Sequence, residues 1–295
     1  MRFFKFKTLF LVVFILVPNL VFGANVYLIP NFESVAVGDT VMVNVEMDTD
    51  GQRPNTIEGD VLIDDVARSI KILDFSKVNS VLTYWLQNPF LDGASKISFT
   101  AGTPGGFSQK SGLLFKIVFL AEKEGQIKFS PDNFKVYNND GKATLIKVVG
   151  KSLVVTINPK NNLPSKDQWL EVVSGDKQPP QNLTATVGQD NSVFEGKKFI
   201  NISSVDSQSG VAYYEIKEGD WPITRSGETY VLLDQSESSA ITITAYDKAG
   251  NHSQILFREV KPKISYGGLL VILIVLLVAL YVSFRIFKLI KKKNA

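Results

Sequence analysis

The chain has no cysteine among its 295 residues. That absence excludes disulfide bonds, thiolate zinc sites, iron–sulfur clusters and cysteine nucleophiles. The stability of any folded region must therefore come from packing and hydrogen bonding alone.

Histidine is almost as scarce, because His252 is the only one. It falls in a turn pattern between two predicted strands, where a surface turn residue is the expected role. No glycine-rich phosphate loop joins a strand to a helix, and residues 48–51 lack the terminal glutamate of a calcium loop, so we predict a turn there. Apart from two carboxylates converging from distant strands, no catalytic constellation is left. We predict a protein that is not an enzyme and that has no cofactor and no metal site.

Net charge is distributed unevenly along the chain. The formal charge of +3 comes from 32 lysines and arginines against 29 acidic residues. Eight of the basic residues lie at the two ends, in stretches without acidic residues, which leaves 24 basic and 29 acidic residues and a charge near −5 between them. A surface of that sign argues against nucleic acid as a partner, since phosphates carry the same charge.

The N-terminus has the pattern of a secretory signal peptide. A basic start, residues 1–7, precedes an apolar run, residues 9–17, and moderate or small residues at 21–23 precede a predicted cut. Pro18 ends the run well short of the roughly 20 residues that a membrane span needs. We predict a cleaved signal peptide over residues 1–23, with an uncleaved anchor as the alternative. Export without cysteine favours a bacterial source, because disulfides are common in eukaryotic secreted proteins.

A second apolar segment, residues 267–284, carries no charge and is long enough to cross a bilayer. Arg285 and the lysines at 291–293 follow it, and basic residues are retained on the cytoplasmic side. We predict a transmembrane helix over residues 265–287, a cytoplasmic tail over residues 288–295, and an extracellular N-terminal region. The protein would then be a single-pass protein of the cell membrane.

Between these ends the sequence is typical of β-structure. Segments of alternating polarity, as at residues 41–47 and 57–63, have the period of two that strands give. Residues 138–141, Asn-Asn-Asp-Gly, are a strong hairpin candidate. Residues 113–120 are apolar on both alternating faces, which predicts a central strand. We expect an all-β chain whose first domain, residues 24–157, is an antiparallel β-sandwich.

Two blocks of this region combine glycine, aspartate and apolar positions in a recognisable order. The first is Val37-Gly38-Asp39-Thr40 before an alternating strand, with a later strand over residues 57–64. The second leads from residues 97–103 through a glycine-rich turn into residues 112–119 and then 125–129. Together the two blocks resemble the cohesin family, and the resemblance implies a jelly-roll β-sandwich that binds a calcium-loaded dockerin through one sheet face. Other jelly rolls and carbohydrate-binding sandwiches share these degenerate positions.

The strand over residues 57–63 supplies a candidate partner-binding face. If its apolar residues point inward, the period of two places the alternate residues outward. Those outward residues are Thr56, Glu58, Asp60 and Leu62. They match the partner-facing strand of the cohesin family. A solvated strand face is the other interpretation, since any surface strand has polar residues outside.

A second candidate site is the aromatic cluster of Tyr84, Trp85 and Phe90. Aromatic side chains stack on sugar rings and anchor protein interfaces. Packing in the core is the competing expectation for large aromatic residues. The cluster leaves polysaccharide binding open as an alternative function.

A polar linker containing proline and glycine, residues 158–180, precedes a second predicted domain over residues 181–263. Several predicted strands in this domain suggest a smaller β-sandwich. The segments 206–216 and 245–251 resemble bacterial Ig-like or fibronectin-III-like surface modules. That resemblance implies a spacer that holds the first domain away from the membrane.

These features predict a membrane-anchored cell-surface protein that serves in binding or adhesion. In the leading hypothesis, the distal cohesin-like domain captures a protein partner that carries a dockerin. A polysaccharide-binding surface module and a purely structural surface protein are the alternatives.

Overall fold

The computed structural model describes residues 23–258, 274–277 and 280–281. The predicted signal peptide lies outside the described residues except for Gly23, as do most of the predicted membrane span and all of the predicted tail. Residues 274–277 and 280–281 are helical. Within the part of the chain that is described, no helix combines the length and the apolar character needed to cross a membrane.

Most of the described secondary structure is β-strand, as the alternating sequence predicts. The first module contains β1 (Ala24–Pro30), β2 (Val35–Ala36), β3 (Thr40–Asp48), β4 (Pro54–Asp64), β5 (Ile70–Ser76), β6 (Tyr84–Leu91), β7 (Lys96–Gly102), β8 (Gly112–Ala121), β9 (Gly125–Asn138), β10 (Leu145–Ile146), β11 (Val148–Lys151) and β12 (Leu153–Asn158). The helix α1 (Gln168–Gly175) follows. The second module contains β13 (Gln181–Gln189), β14 (Lys198–Val205), β15 (Val211–Glu218), β16 (Thr224–Ser226), β17 (Thr229–Val231), β18 (Ile241–Asp247) and β19 (His252–Arg258).

The strands of the first module form two sheets around one core. One sheet has the strand order β11-β1-β3-β8-β5, and the other has the order β2-β12-β9-β4-β7-β6, with β10 paired to β9. Neighbouring strands are antiparallel except in the β1–β11 and β2–β12 pairs. The prediction of a β-sandwich is confirmed for this part of the chain.

Strand β8 is an inner strand of its sheet, between β3 and β5, as its apolar run predicts. Phe115 is fully buried, and its ring centroid lies 5.0 Å from that of Phe99 in the facing sheet. Val118 points to the opposite side of β8 and is buried as well, beside Met42 of β3. That side of the sheet is where α1 packs against β3, so β8 is covered on both faces.

Two predicted turns are confirmed, and one prediction is wrong in detail. Residues 48–51 form a turn in which Gln52 N donates to Thr49 O at 2.8 Å. The Asn-Asn-Asp-Gly sequence joins β9 to its antiparallel partner β10. His252, predicted in a turn, is instead the first residue of β19, because its backbone pairs with Tyr246.

The predicted linker begins with an exposed loop, residues 159–165, between two anchored points. Before the loop, Asn158 donates from its side-chain amide to Val35 O at 3.0 Å. After the loop, Lys166 N donates to Asp39 Oδ1 at 2.8 Å. The loop therefore leaves the first module and returns to it.

The sequence did not predict the helix that follows this loop. Asp167 caps α1 by accepting a hydrogen bond from Leu170 N at its Oδ1, at 2.8 Å. The Gln168 side chain accepts from Met42 N at 3.1 Å and donates to Asn31 O at 2.7 Å. These bonds fix α1 to the first module, so much of the linker belongs to that module.

The second module has two small sheets, with strand orders β13-β14-β17 and β16-β15-β18-β19. Its separate core takes side chains from both sheets, including Ile200, Ile216 and Ile243, each fully buried. The module is therefore a small sandwich, and its Ig-like or fibronectin-III-like class stays a prediction.

Candidate functional site

The outward side of β4 carries the four residues that the period of two predicts. Burial alternates along the strand, with Ile57, Gly59 and Val61 buried between exposed or half-buried neighbours. The outward residues are Thr56, Glu58, Asp60 and Leu62. They lie in the middle of a sheet, because β9 and β7 flank β4.

The register across β7 brings the two predicted sites together. Thr56 pairs with Gly102 of β7, which pairs with Tyr84 of β6. Asp60 pairs with Ser98, which in turn pairs with Phe90. Paired residues point to the same side of a sheet, so Tyr84 and Phe90 share one surface with Thr56 and Asp60, about 10 Å away across two strand spacings. We call the outward residues of β9, β4, β7 and β6 the open face.

Trp85, the third member of the predicted aromatic cluster, points to the other side. It pairs with the buried Ala101, and its ring centroid lies 6.3 Å from that of Phe99 in the core. Neighbours along a strand alternate between faces, so adjacent Tyr84 and Trp85 cannot share a platform. The structure therefore divides the cluster into two exposed rings and one ring that packs on the core.

Polar side chains occupy the centre of the open face. Asp60 accepts hydrogen bonds from Ser98 Oγ at 2.6 Å and from Asn133 Nδ2 at 3.2 Å. Glu58 pairs with Lys135, whose Nζ lies 3.1 Å from Glu58 Oε1. The hydrogen bond and charge of Glu58 raise the pKa of Lys135. These contacts orient both carboxylates, and the exposed ion pair adds little stability.

Apolar side chains flank this polar centre. Tyr84 is 60% exposed, and Leu62 and Phe90 are each 38% exposed. Exposed aromatic and aliphatic groups beside oriented carboxylates are typical of surfaces that bind a protein or a sugar.

The other sheet of the first module is partly covered on its outer side. Helix α1 packs against β3 there, and Lys248 of the second module binds Asp74 of β5. Leu73, Trp169 and Leu170 line the cleft of about 660 Å³ between these parts. The open face is thus turned away from the second module's attachment to β5.

Three carboxylates near the junction of the modules are the described residues that could hold a metal ion. One oxygen of each of Asp176, Asp206 and Asp247 lies within 4.8 Å of the others, and an all-oxygen set suits Ca²⁺. Neighbouring groups donate hydrogen bonds to these carboxylates, including the Ser209 hydroxyl, whose oxygen lies 2.5 Å from Asp176 Oδ2. Burial raises the pKa of Asp176, but bonds from Ser209 and from the Gln178 amide outweigh it, and the net shift is downward.

Sequence reasoning missed this carboxylate group, although two of its members stand in segments that it singled out. Asp206 and Asp247 begin or fall within the two Ig-like motifs, whereas Asp176 belongs to the linker. Their convergence depends on how the linker docks onto the second module, which no local pattern specifies. The amides of Gly210 and Asn251 also donate to this group, at 2.6 Å to Asp206 and 2.8 Å to Asp247.

Comparison with known proteins gives similarities of fold only. No protein-family model matches the chain, and no curated protein matches it at a significant level. Among solved structures, a cohesin module from a Clostridium perfringens family 33 glycoside hydrolase is 13% identical, with a TM-score of 0.39, over 47% of this chain and 98% of its own. The seventh ScaB type I cohesin of Pseudobacteroides cellulosolvens is 17% identical, with a TM-score of 0.41, over 48% and 96%. A type I cohesin–dockerin complex from Clostridium thermocellum is 14% identical, with a TM-score of 0.39, over 47% and 96%.

Proposed function

We propose that this protein is a cell-surface receptor whose first module captures a protein partner on the open face. The observation that carries the proposal is the convergence of oriented carboxylates with exposed Tyr84, Phe90 and Leu62 on one sheet surface. Exposed aromatic residues are the kind of anchor that protein interfaces use for affinity, and oriented charges add specificity. The sequence resemblance to cohesins makes a dockerin-bearing protein the partner to test first.

The dimensions of the open face suit such a partner. Four strands at about 4.8 Å spacing and about eight residues at about 3.3 Å each give a surface of about 19 by 26 Å. A standard interface covers about 800 Å² of each partner, so the roughly 500 Å² of the open face would form the larger part of such an interface. The partner therefore needs no deep pocket, only a complementary surface.

The proposal includes export and membrane anchoring, with the second module as a spacer. The direction of β19 supports this role. It begins at His252, next to Asn251, whose side chain reaches Asp176 of the linker at 3.4 Å. It ends at Arg258, which pairs with Glu237, and seven residues of strand span roughly 20 Å. The chain thus runs away from the first module before it enters the predicted membrane span.

A capture experiment tests the partner. Residues 24–258 are immobilised and exposed to recombinant dockerins and to the secreted fraction of the source organism, with and without calcium. We expect calcium-dependent recovery of a dockerin-bearing protein, and loss of recovery in the double variant Glu58→Arg, Asp60→Arg. The matched control is Glu122→Arg, Glu124→Arg, which makes the same charge change at exposed positions between β8 and β9. Equal loss in both variants, or no dockerin bound, would sink the proposal.

Polysaccharide binding is the second candidate, supported by the exposed rings of Tyr84 and Phe90. On a glycan array, this alternative requires binding that disappears in Tyr84→Ala and Phe90→Ala. Trp85→Ala is less informative, because that ring packs on the core. A chain that binds neither dockerin nor glycan would favour the third alternative, a purely structural surface protein.

Membrane anchoring needs its own test. The full chain is produced in a bacterial host and the cells are fractionated. We expect the protein in the membrane fraction, and we expect external protease to digest the first module on intact cells. Release into the medium after deletion of residues 265–295 would support the anchor, whereas unchanged retention would refute it.

A further inference from the structure

The contact between the two modules is built around one lysine. Lys248 follows β18 in the second module, and its Nζ donates to Asp74 Oδ2 at 2.6 Å and to Phe75 O at 3.0 Å, both in β5. The same Nζ lies 4.9 Å from the ring centroid of Trp169 in α1. Since α1 is fixed to the first module, that module supplies all three sides of the socket that receives Lys248.

The socket excludes most water from the lysine. The Lys248 side chain is only 18% exposed, whereas its partner Asp74 is 31% exposed. Burial removes hydration from the ammonium group and lowers the pKa of Lys248, and the charge and hydrogen bond of Asp74 offset part of that cost only while the modules stay docked. Rotation of the second module away from β5 would separate Lys248 from all of them at once.

Two further contacts join the modules at positions outside the Lys248 socket. Lys77, just after β5, places its Nζ 2.6 Å from Glu228 Oε1 of the second module. Gly210 approaches Val78 so closely that a Cβ at Gly210 would lie 3.0 Å from Val78 Cγ2. A charged contact and a close-packed contact, at positions distinct from the socket, oppose rotation about the lysine.

The linker is bonded to both modules, with no flexible segment between the two points of attachment. Its Asp176 accepts hydrogen bonds from Ser209 N at 3.1 Å and from the Ser209 hydroxyl at 2.5 Å, in the second module. Its earlier part, at Gln168, is bonded to the first module. Only α1 separates the two anchored points, and it packs against β3.

We propose that the two modules form one rigid unit in which Lys248 is the latch. The orientation of the open face relative to the end of β19 is then fixed. The second module would therefore set the direction of the open face as well as its distance from the membrane. The rigidity follows from the junction alone and does not depend on what the open face binds.

Distances between spin labels test the latch, and the absence of native cysteine makes specific labelling straightforward. Labels are attached to the pair Lys123→Cys and Thr186→Cys, two exposed positions on different modules. We expect a single narrow distance distribution for this chain. Adding Lys248→Met, which keeps the length of the side chain and removes its charge, should at least double the width. Adding Lys217→Met, an exposed lysine of β15 outside the junction, should leave the width unchanged.

Asp74→Asn tests the same contact from the first module and remains informative if Lys248→Met disturbs folding of the second. Circular dichroism and thermal unfolding of each variant establish that both modules are folded. A broad distribution without junction mutations would overturn the proposal. So would a distribution that stays narrow in folded Lys248→Met and Asp74→Asn.

Discussion

Gly59 lies between the two carboxylates of the open face, on the buried side of β4. Its missing side chain leaves room for Phe134, since a Cβ at this position would lie 2.8 Å from Cγ of that ring. The Phe134 ring in turn packs edge-on against Phe99, with centroids 5.8 Å apart. The backbone of β4 beneath Glu58 and Asp60, where the pairing with β9 shifts register, therefore depends on a residue that no partner would touch.

Replacement of Gly59 by alanine should destabilise the first module. The added methyl group collides with the base of a packed ring, and such overpacking costs about 1–3 kcal/mol of unfolding free energy. Urea denaturation measures the change. Gly227→Ala is the matched control, because a Cβ there meets no atom within 4 Å, and its effect should stay within about 0.5 kcal/mol. Equal effects of the two substitutions would contradict this explanation.

Asp234 organises the loop between β17 and β18. Hydrogen bonds from the hydroxyls of Ser236, Ser238 and Ser239 hold the pKa of its carboxyl well below its usual range. The amide of Ser239 also donates to it, at 2.8 Å. A single ionised carboxylate thus accepts the hydrogen bonds that hold residues 235–239 in place.

Acid should loosen this loop before it affects the neighbouring strands. A carboxyl group whose pKa is lowered by folding stabilises the fold above its unfolded pKa, near 4, and that stabilisation is lost as the pH falls towards the folded pKa. Amide exchange at Ser238 and Ser239, corrected for intrinsic rates, should accelerate as the pH drops below about 4. In Asp234→Asn the corrected exchange should be fast at all pH values. A pH-dependent rate that persists in this variant would assign the effect to another group.

The strand elements could be predicted where one face is buried. The alternation along β4 and the doubly apolar run of β8 both appear in the sequence, and the structure places them as predicted. Strand β6 is different, since it combines two register shifts with Pro89, and the pattern indicated only an aromatic cluster. Tyr84 and Phe90 share a face with the outward residues of β4 because β7 pairs with both strands. Such pairing joins residues that are distant in the sequence, so no local pattern reveals it. Sequence periodicity supplies the side on which a residue lies, but not its neighbours across the sheet.

Helix α1 could not be recognised because it lies between proline- and glycine-containing segments and is short. Its eight residues include none that are fully buried. Isolated helices of that length are unstable in water, so its stability comes from its cap and from contact with the first module. Asp167 supplies the cap and Gln168 supplies the contact with the first module. Both residues are polar, so neither contributes to a hydrophobic pattern in the sequence.

The capping bond of α1 contributes directly to the stability of the helix. Asp167→Ala removes the acceptor for Leu170 N and should destabilise the helix by about 1 kcal/mol. Hydrogen exchange over residues 168–175 should become about five times faster, which corresponds to that energy. Asp167→Ser keeps a capping oxygen and should exchange nearly as slowly as the original chain. If both variants behave alike, the cap does not hold the helix.

The two modules have separate hydrophobic cores. No buried residue of the first core belongs to the second, within the described part of the chain. The junction is instead made of charged and polar contacts, including Lys248–Asp74 and Lys77–Glu228. Separate cores with a polar junction are expected to fold independently and then dock.

The first module should therefore fold when residues 24–175 are produced alone. Asp74 and Lys77 lose their partners, but both are partly exposed, so water can replace those contacts. Circular dichroism should show a β-rich spectrum with a cooperative thermal transition, and dockerin capture should match that of residues 24–258. A fragment without a cooperative transition would mean that the second module is needed for the first to fold.

The anchored loop at residues 159–165 also determines how the molecule responds to being cut. Lys160 is exposed to trypsin, and a break there would separate the strands of the first module from α1 and the second module. The piece after the break keeps Lys166 and Gln168 bonded to the first module, and it keeps Lys248 in its socket. Two bands on a denaturing gel should then run as a single peak in gel filtration. A surface protein nicked at this loop would remain a non-covalent complex at the cell, still presenting its first module.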